Sequence, residues 1–250
     1  KESCFVKMLQ LLDPSNERWA AYFLSLPINQ QDIFYSPDYA ELCARYIHRV
    51  GRPLCAVLEY DSSYTMYPFL QRNISSLGNL SSVIPSDYKD ITGLYGRGGL
   101  VCSERNVINV SSFHIALQSY CDDNRIICGF DRYHPIMGNH DVVGHKTKVL
   151  DIGGFVVVNL SRSAREIESA FKHAVRKNIK KATRARCSVF SEVTLEHLDE
   201  SLTVYSATLD RNHAAAFYYI PEDFYRELPS RLKGKYRFFY TEIDGSIVSC

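Results

Sequence analysis

Two apolar runs with a short polar turn between them constrain the fold of this chain most strongly. Residues 54–60 and 64–70 are rich in aliphatic and aromatic side chains, and Asp61-Ser62-Ser63 separates them. Runs of this length bounded by turn residues are typical of two strands joined in a hairpin. The sequence therefore predicts a β-sheet early in the chain and excludes an all-helical fold.

Helical patterns alternate with the predicted strands. Ser36 is a good N-cap, Pro37 suits a first helical turn, and Gly51 is a stop signal, so a helix is expected between Ser36 and Gly51. Ser163 stands three residues before Glu166, which predicts a capping box. Further helices are predicted over 14–26, 112–121, 161–175, 177–186 (continuous with the preceding helix or kinked from it), 194–209 and 221–232, and further strands over 88–94, 125–133, 154–160, 187–193, 236–243 and 246–250. This mixture indicates an α+β (mixed α/β) fold. With residues 136–150 as a connector, the expected domains are 1–150 and 151–250.

Composition and charge exclude several classes of protein. Of the 250 residues, 29 are Lys or Arg and 28 are Asp or Glu, giving a net charge of +1. That balance excludes a protein that holds nucleic acid by bulk charge, so no DNA partner is expected. No apolar run approaches the roughly 20 residues of a membrane span. The eight cysteines form no CxxC pair. Their scatter predicts free thiols in a reducing, cytoplasmic compartment.

A basic segment is the most informative local feature. Residues 172–186 hold seven cations, and four of them recur at i, i+4 spacing along one predicted helical stripe. The seven are Lys172, Arg176, Lys177, Lys180, Lys181, Arg184 and Arg186. The pattern predicts that Arg176 and Lys180 face an anion-binding region while Val175 and Ile179 are buried. The alternative is a solvated helix face.

A glycine-rich segment follows the strand predicted over 88–94. Gly96, Gly98 and Gly99 allow a backbone to approach a ligand closely. The segment lacks the Gly-Lys-Ser/Thr of a P-loop and the spacing of a dinucleotide fingerprint. A turn or bulge with no ligand is the alternative.

Histidine and cysteine patterns favour neither metal binding nor nucleophilic hydrolysis. His134, His140 and His145 lie within twelve residues, but their spacing fits no helical metal motif, so no metal site is expected. No GxSxG elbow or protease-type cysteine motif is present.

Six segments in order resemble the FemABX and BioF2-like branch of the GNAT-fold acyltransferases. They are Phe34-Tyr35-Ser36-Pro37-Asp38-Tyr39, Pro68-Phe69-Leu70 with Arg72, Tyr95-Gly96-Arg97-Gly98-Gly99-Leu100, Phe130-Asp131-Arg132-Tyr133-His134-Pro135, Arg176-Lys177-Asn178-Ile179-Lys180-Lys181-Ala182, and Tyr205, Thr208, Arg211, Asn212 with Tyr218-Tyr219. The third is similar to the family's Tyr-Gly-Tyr-Gly-Gly-Pro segment, from which Arg97 and Leu100 depart.

The resemblance implies two GNAT-like lobes, each a twisted, mostly antiparallel sheet with flanking helices, the second incomplete at the chain's end. It implies transfer of an acyl group to an amine, with acyl-CoA as the expected donor. Together with the cations of residues 172–186, it predicts an acceptor that bears a phosphate and is a small molecule or lipid-linked. Two alternatives stay open, namely aminoacyl-tRNA-dependent peptidoglycan cross-bridge formation in a bacterial cell and a non-catalytic ligand-binding lobe. Peripheral membrane contact also stays open, and no permanently bound cofactor is expected.

Candidate site residues follow from this resemblance and from the chemistry of amine attack on a carbonyl, which needs a base and oxyanion donors. The catalytic candidates are His134, Asp131 and Tyr95. The candidates for substrate binding are Arg97, Arg132, Arg176, Lys180, Tyr205, Arg211 and Tyr218. Tyr95, Arg97, Arg132 and His134 are expected to line a common groove.

Overall fold

The computed structural model describes residues 8–78 and 83–250, and the chain divides into two compact units, 1–150 and 151–250. The boundary lies where the sequence predicts it. The fold is α+β, with twisted, mostly antiparallel sheets and flanking helices. The Ser- and Asn-rich residues 73–87, for which the sequence predicts a loop, fall partly outside the described residues.

Unit 1 is built on one sheet. Its strands are β1 (Gln10–Leu12), β2 (Arg52–Glu59), β3 (Tyr64–Asn73), β4 (Lys89–Thr92), β5 (Val101–Cys102) and β6 (Ile126–Phe130). The order is β1-β2-β3-β4-β6, and β5 pairs with the remaining length of β3. The predicted hairpin is confirmed by the antiparallel register of β2 on β3, in which Leu54 faces Phe69. Only β4 and β6 among the described strands run parallel.

Local caps set the helices of unit 1. These are α1 (Glu17–Ser25), α2 (Pro37–Leu42) and α3 (Val107–Asp123). The Ser36 hydroxyl accepts a hydrogen bond from the Tyr39 N–H, which confirms the predicted cap. A π-helical turn, Cys43–His48, extends α2 and ends at Arg49 in the left-handed region, two residues before Gly51. The α3 helix begins earlier than predicted because the Asn106 side chain caps it.

The core of unit 1 packs α3 against one face of the sheet. Phe69 of β3 and Phe113 of α3 are completely buried within one apolar cluster. Trp19, the chain's one tryptophan, is also fully buried, and its indole Nε1 donates to the Tyr35 carbonyl. This burial makes the tryptophan a fluorescence reporter for unit 1.

Unit 2 has a three-stranded sheet in the order β7-β8-β9. Its elements are α4 (Ala164–Ala170), α5 (His173–Arg184), β7 (Ser188–Glu192), α6 (Leu198–Arg211), α7 (Glu222–Arg231), β8 (Phe238–Ile243) and β9 (Ser246–Ser249). The two strands that the sequence predicts over 236–243 and 246–250 pair as the antiparallel hairpin of β8 and β9, and Asp244 and Gly245 turn it with φ values of 49° and 78°. Positive φ at both turn positions is the requirement that an Asp-Gly pair meets.

The strand predicted over 154–160 is wrong. These residues have no regular secondary structure, and Val156 is 88% exposed. Apart from Asn159 the run has no polar side chain, as a strand buried on both faces would show. In the described part of unit 2 the sheet closes on β7, β8 and β9 without it. Without a partner strand, an extended apolar segment does not become β-structure.

The helix predicted from residue 161 onwards is interrupted. The Ser163–Glu166 capping box is confirmed at the start of α4. The chain then becomes extended at Phe171 before α5 starts. Arg176 Nη1 donates to the carbonyls of Ser169 and Phe171, each at 2.8 Å. This guanidinium satisfies backbone acceptors left open at the end of α4 and so stabilises the break.

Seven cysteines in the described residues are free thiols, and Cys43, Cys55 and Cys102 are buried. Among the helices that the structure describes, none combines the length and the apolar character needed to cross a bilayer.

Candidate functional site

In unit 1 the glycine-rich segment leaves the parallel pair of β4 and β6 and then returns to it. The Gly93 N–H donates to the Phe130 carbonyl at 2.9 Å, and the Gly98 N–H donates to the Arg132 carbonyl at 2.7 Å. Between these two hydrogen bonds the segment after β4 therefore advances five residues, whereas the segment after β6 advances two. Residues 94–97 therefore bulge out between these two hydrogen bonds.

The carboxyl group of Asp131 lies under this bulge. A Cβ atom built on Gly93 would lie 2.2 Å from Asp131 Oδ1, and one built on Gly98 would lie 2.4 Å from it. Any side chain at either position would therefore displace the carboxyl group. The other oxygen, Oδ2, accepts a hydrogen bond of 2.5 Å from the Tyr67 hydroxyl.

Asp131 is the most perturbed acid of this site. Burial raises its pKa to about 7, and the hydrogen bond from Tyr67 opposes that shift without cancelling it. The backbone N–H of Gly99 also lowers the pKa, although Oδ1 forms no well-aligned hydrogen bond with the described residues. A buried carboxyl that titrates near neutral pH can accept or donate a proton under physiological conditions.

A polar network that the sequence did not predict holds the bulge in place. Asn139, which is 1% exposed, places Nδ2 2.9 Å from the Tyr35 hydroxyl, 3.2 Å from the Gly98 carbonyl and 3.3 Å from the Leu100 carbonyl. The Tyr39 hydroxyl donates to the Tyr95 carbonyl at 2.7 Å. Asn139 lies in the predicted connector, where no hydrophobic period or motif singled it out.

His134 is buried, and both of its ring nitrogens are engaged. Nδ1 accepts from the backbone N–H groups of Ile136 and Met137, so Nε2 carries the proton and donates to Asp32 Oδ2 at 3.3 Å. The backbone N–H of His134 donates to Asn139 Oδ1. With its lone pair occupied, this imidazole is a structural group, and Asp131 is the better candidate base.

The two cationic candidates of unit 1 lie on neighbouring backbones. Gly98 and Tyr133 form an isolated parallel β-bridge. Arg97 and Arg132 each come one residue before a bridged position, so their backbones lie side by side. Arg132 is exposed, whereas Arg97 is half-buried and donates to the Gly96 carbonyl. The structure brings the segments around Arg97 and Arg132 together, but the His134 side chain is buried and does not lie on the surface beside them. The common groove therefore stays a prediction.

In unit 2 the predicted burial of the basic helix is wrong. Val175 and Ile179 are each 42% exposed, and α5 contains no buried residue. The Arg176 guanidinium donates hydrogen bonds to the carbonyls at the end of α4, whereas Lys180 is exposed.

The remaining substrate-binding candidates lie in the second half of α6 and in the segment that follows it. The Tyr205 hydroxyl donates to the Tyr218 carbonyl at 3.1 Å, so these two are in contact. Arg211 lies exposed in the last turn of the helix. A shallow groove along the same helix is lined by Asp199, Leu202, Thr203, Ser206, Ala207, Asp210 and Glu222. Arg226 pairs with both Asp199 and Glu222 at its rim.

Unit 2 holds a cluster of titratable side chains that the sequence did not predict. Possible ligand atoms of Glu192, Glu196 and His197 lie within 4.8 Å of one another. His197 Nδ1 lies 2.9 Å from Glu192 Oε2, and the Tyr240 hydroxyl donates to Glu192 Oε1 at 3.0 Å. The hydrogen bond with Glu192 raises the pKa of His197. Burial alone would raise the pKa of Glu192, but its hydrogen bonds with His197 lower it overall. The geometry is that of a hydrogen-bonded ion pair.

Compared with known protein families, the chain matches no family model, and a comparison with curated proteins gives no significant match.

Proposed function

We propose that this protein is an N-acyltransferase that moves an acyl group from acyl-CoA to an amine of a phosphate-bearing acceptor. The reaction forms an amide and releases the thiol of the donor. It needs a group that removes a proton from the attacking ammonium, and it needs no covalent enzyme intermediate. The absence of nucleophile motifs in the sequence is consistent with this reaction class.

The observation that carries the proposal is the Asp131 carboxyl, which lies beneath the bulge where β4 and β6 end. A general base is most effective when its pKa lies near the working pH. Burial provides that match here, because it raises the pKa of Asp131 to about 7. In this proposal the buried Oδ1 takes the proton after the bulge of residues 94–97 moves aside to admit the amine, and the Tyr67 hydroxyl stabilises the carboxylate through Oδ2.

One further feature supports a phosphate-bearing ligand in unit 1. Arg97 and Arg132 lie on neighbouring backbones beside the bulge, and guanidinium groups recognise phosphate in a bidentate manner. Gly96 and Gly99 adopt positive φ, with values of 104° and 92°, but the rings of Phe34 and Tyr133 fill the space that a Cβ would take, so these glycines shape the bulge and do not form a ligand cradle.

The non-catalytic binding lobe is the second candidate. It is favoured by the enclosure of His134, whose ring nitrogens are both engaged. Aminoacyl-tRNA in place of acyl-CoA is a variant of the first candidate, since the attacking amine and the base are unchanged.

The test is a transfer assay with acyl-CoA donors, aminoacyl-tRNA donors and a panel of phosphate-bearing amines, read as thiol or tRNA release and as amide product. We expect activity that rises with pH through about 7. The Asp131→Asn variant should lose about 10²–10⁴-fold of that rate. The matched control is Asp123→Asn, which changes an exposed acid at the end of α3 and should retain full activity.

Three outcomes separate the candidates. Turnover that is unaffected by Asp131→Asn would refute the assigned base. Donor or acceptor binding with no product in any arm would establish the non-catalytic lobe. Neither binding nor turnover with any donor would refute both candidates.

A further inference from the structure

The α5 helix exposes a face that helices of folded domains normally bury. Around its axis, Ala174, Val175, Ile179 and Ala182 share one half of the circumference. All four are exposed, and the two large side chains are each 42% accessible. An amphipathic helix usually covers such a face with its own core. Here the described residues cover it only in part.

The opposite half of α5 is strongly cationic. It carries Lys177, Lys180, Lys181 and Arg184, all exposed, and Lys172 precedes it as the N-cap. Residues 171–187 contain no Asp or Glu. Within the described chain, no carboxylate forms an ion pair with any of these five cations. Like charges so close together repel one another unless an external anion neutralises them.

We propose that α5 docks on the surface of an anionic lipid bilayer. Its apolar half would enter the boundary between headgroups and acyl chains, while the flanking cations contact the lipid phosphates and carboxylates. This inference is independent of the proposed function, because it concerns a different unit and a different set of residues.

The chemistry of the helix favours a lipid surface over a nucleic acid. A nucleic-acid backbone would neutralise the cations but leave Val175 and Ile179 in water. The exposed cations are mostly lysines, which act as mobile point charges and suit a fluid field of headgroups. The one arginine of the middle turns, Arg176, is occupied by the carbonyls of α4. A bilayer is the partner that uses both halves of the helix at once.

The experiment is co-sedimentation of the whole chain with two kinds of vesicle. One is phosphatidylcholine alone, and the other contains roughly 30 mol% phosphatidylserine, which gives the negative surface potential that attracts basic segments. We expect binding only to the anionic vesicles, weakened by added salt. Each lysine near such a surface contributes about fivefold in affinity, so the triple variant Lys177→Ala/Lys180→Ala/Lys181→Ala should lose about a hundredfold.

Two further variants make the test specific. The triple variant Lys146→Ala/Lys148→Ala/Lys233→Ala removes the same net charge from exposed positions outside α5, and it should bind like the unchanged protein. The variant Val175→Ser/Ile179→Ser keeps every cation and should lose about tenfold, because it removes the apolar contact. Both sets of positions are exposed, so the fold should be retained, as circular dichroism would verify.

Equal loss in the two lysine triple variants would overturn the proposal, since net charge alone would then explain binding. So would wild-type binding by the Val175→Ser/Ile179→Ser variant together with tighter binding to single-stranded RNA, which would identify a polyanion partner. Failure to bind anionic vesicles at low salt would overturn it directly.

Discussion

Replacing Asp131 with asparagine should change how the stability of unit 1 depends on pH. The carboxyl has an ordinary pKa of 3.8 in the unfolded chain and about 7 in the folded protein, because it is buried beneath Gly93 and Gly98. Between these values the folded state holds a proton that the unfolded state has released. Stability from this group is therefore fully present below pH 3.8 and is lost as the pH rises towards 7.

The expected magnitude follows from the size of the shift. A difference of about three pKa units corresponds to about 4 kcal/mol at roughly 1.4 kcal/mol per unit. The asparagine does not titrate, so it should be about as stable as the wild type near pH 4. It should be more stable than the wild type by up to that amount at pH 8.

The assay is urea unfolding at pH 4, 6 and 8, followed by the fluorescence of Trp19, which is buried in unit 1. The quantity to plot is the free energy of unfolding of wild type minus that of Asp131→Asn. The control Asp123→Asn changes an exposed acid and should leave the wild-type pH profile unchanged. A difference between wild type and Asp131→Asn that stays within about 1 kcal/mol from pH 4 to 8 would refute the assignment of a raised pKa.

The remaining predictions concern the two polar networks. Asn139→Ala strips partners from buried backbone groups and should destabilise unit 1 by about 3 kcal/mol, measured through Trp19 in urea. The pair of Glu192 and His197 should stabilise unit 2 most between pH 4.5 and 6.5. The contribution of His197 to the stability of unit 2 is fully present below pH 6.5 and is lost as the pH rises through its raised pKa. The contribution of Glu192 is fully present above pH 4.5 and is lost as the pH falls through its lowered pKa. Glu192→Gln should remove this maximum from the hydrogen-exchange protection of β7 and β8.

Exposed residues supply the controls for these two predictions. Asn178 lies on α5, so Asn178→Ala should not move the Trp19 transition, and Glu168 lies exposed on α4, so Glu168→Gln should keep the pH maximum of β7 and β8. A loss below about 1 kcal/mol in Asn139→Ala would show that the network around the bulge contributes little. An unchanged pH profile in Glu192→Gln would show that the ion pair does not support the sheet.

Short-range features of this protein could be predicted from its sequence. The Ser36 cap, the Ser163–Glu166 capping box and the Asp244-Gly245 turn each depend on hydrogen bonds or backbone angles within a few residues. The hairpin of β2 and β3 is likewise local, because its two strands are joined by a turn of a few residues. Such contacts have the same energetics in a segment as in the whole chain, so pattern and propensity suffice.

Burial, in contrast, was decided by tertiary structure. Asp131 and Tyr67 are 64 positions apart, and Asn139 and Tyr35 are 104 apart, so no local pattern could pair them. Residues 154–160 have the apolar composition of a strand, yet they lack a strand to pair with in the described part of the unit. Val175 and Ile179 have the period of a buried helical face but remain exposed. A sequence pattern records which side chains could be buried together, whereas pairing and desolvation depend on which distant surfaces the fold brings to them.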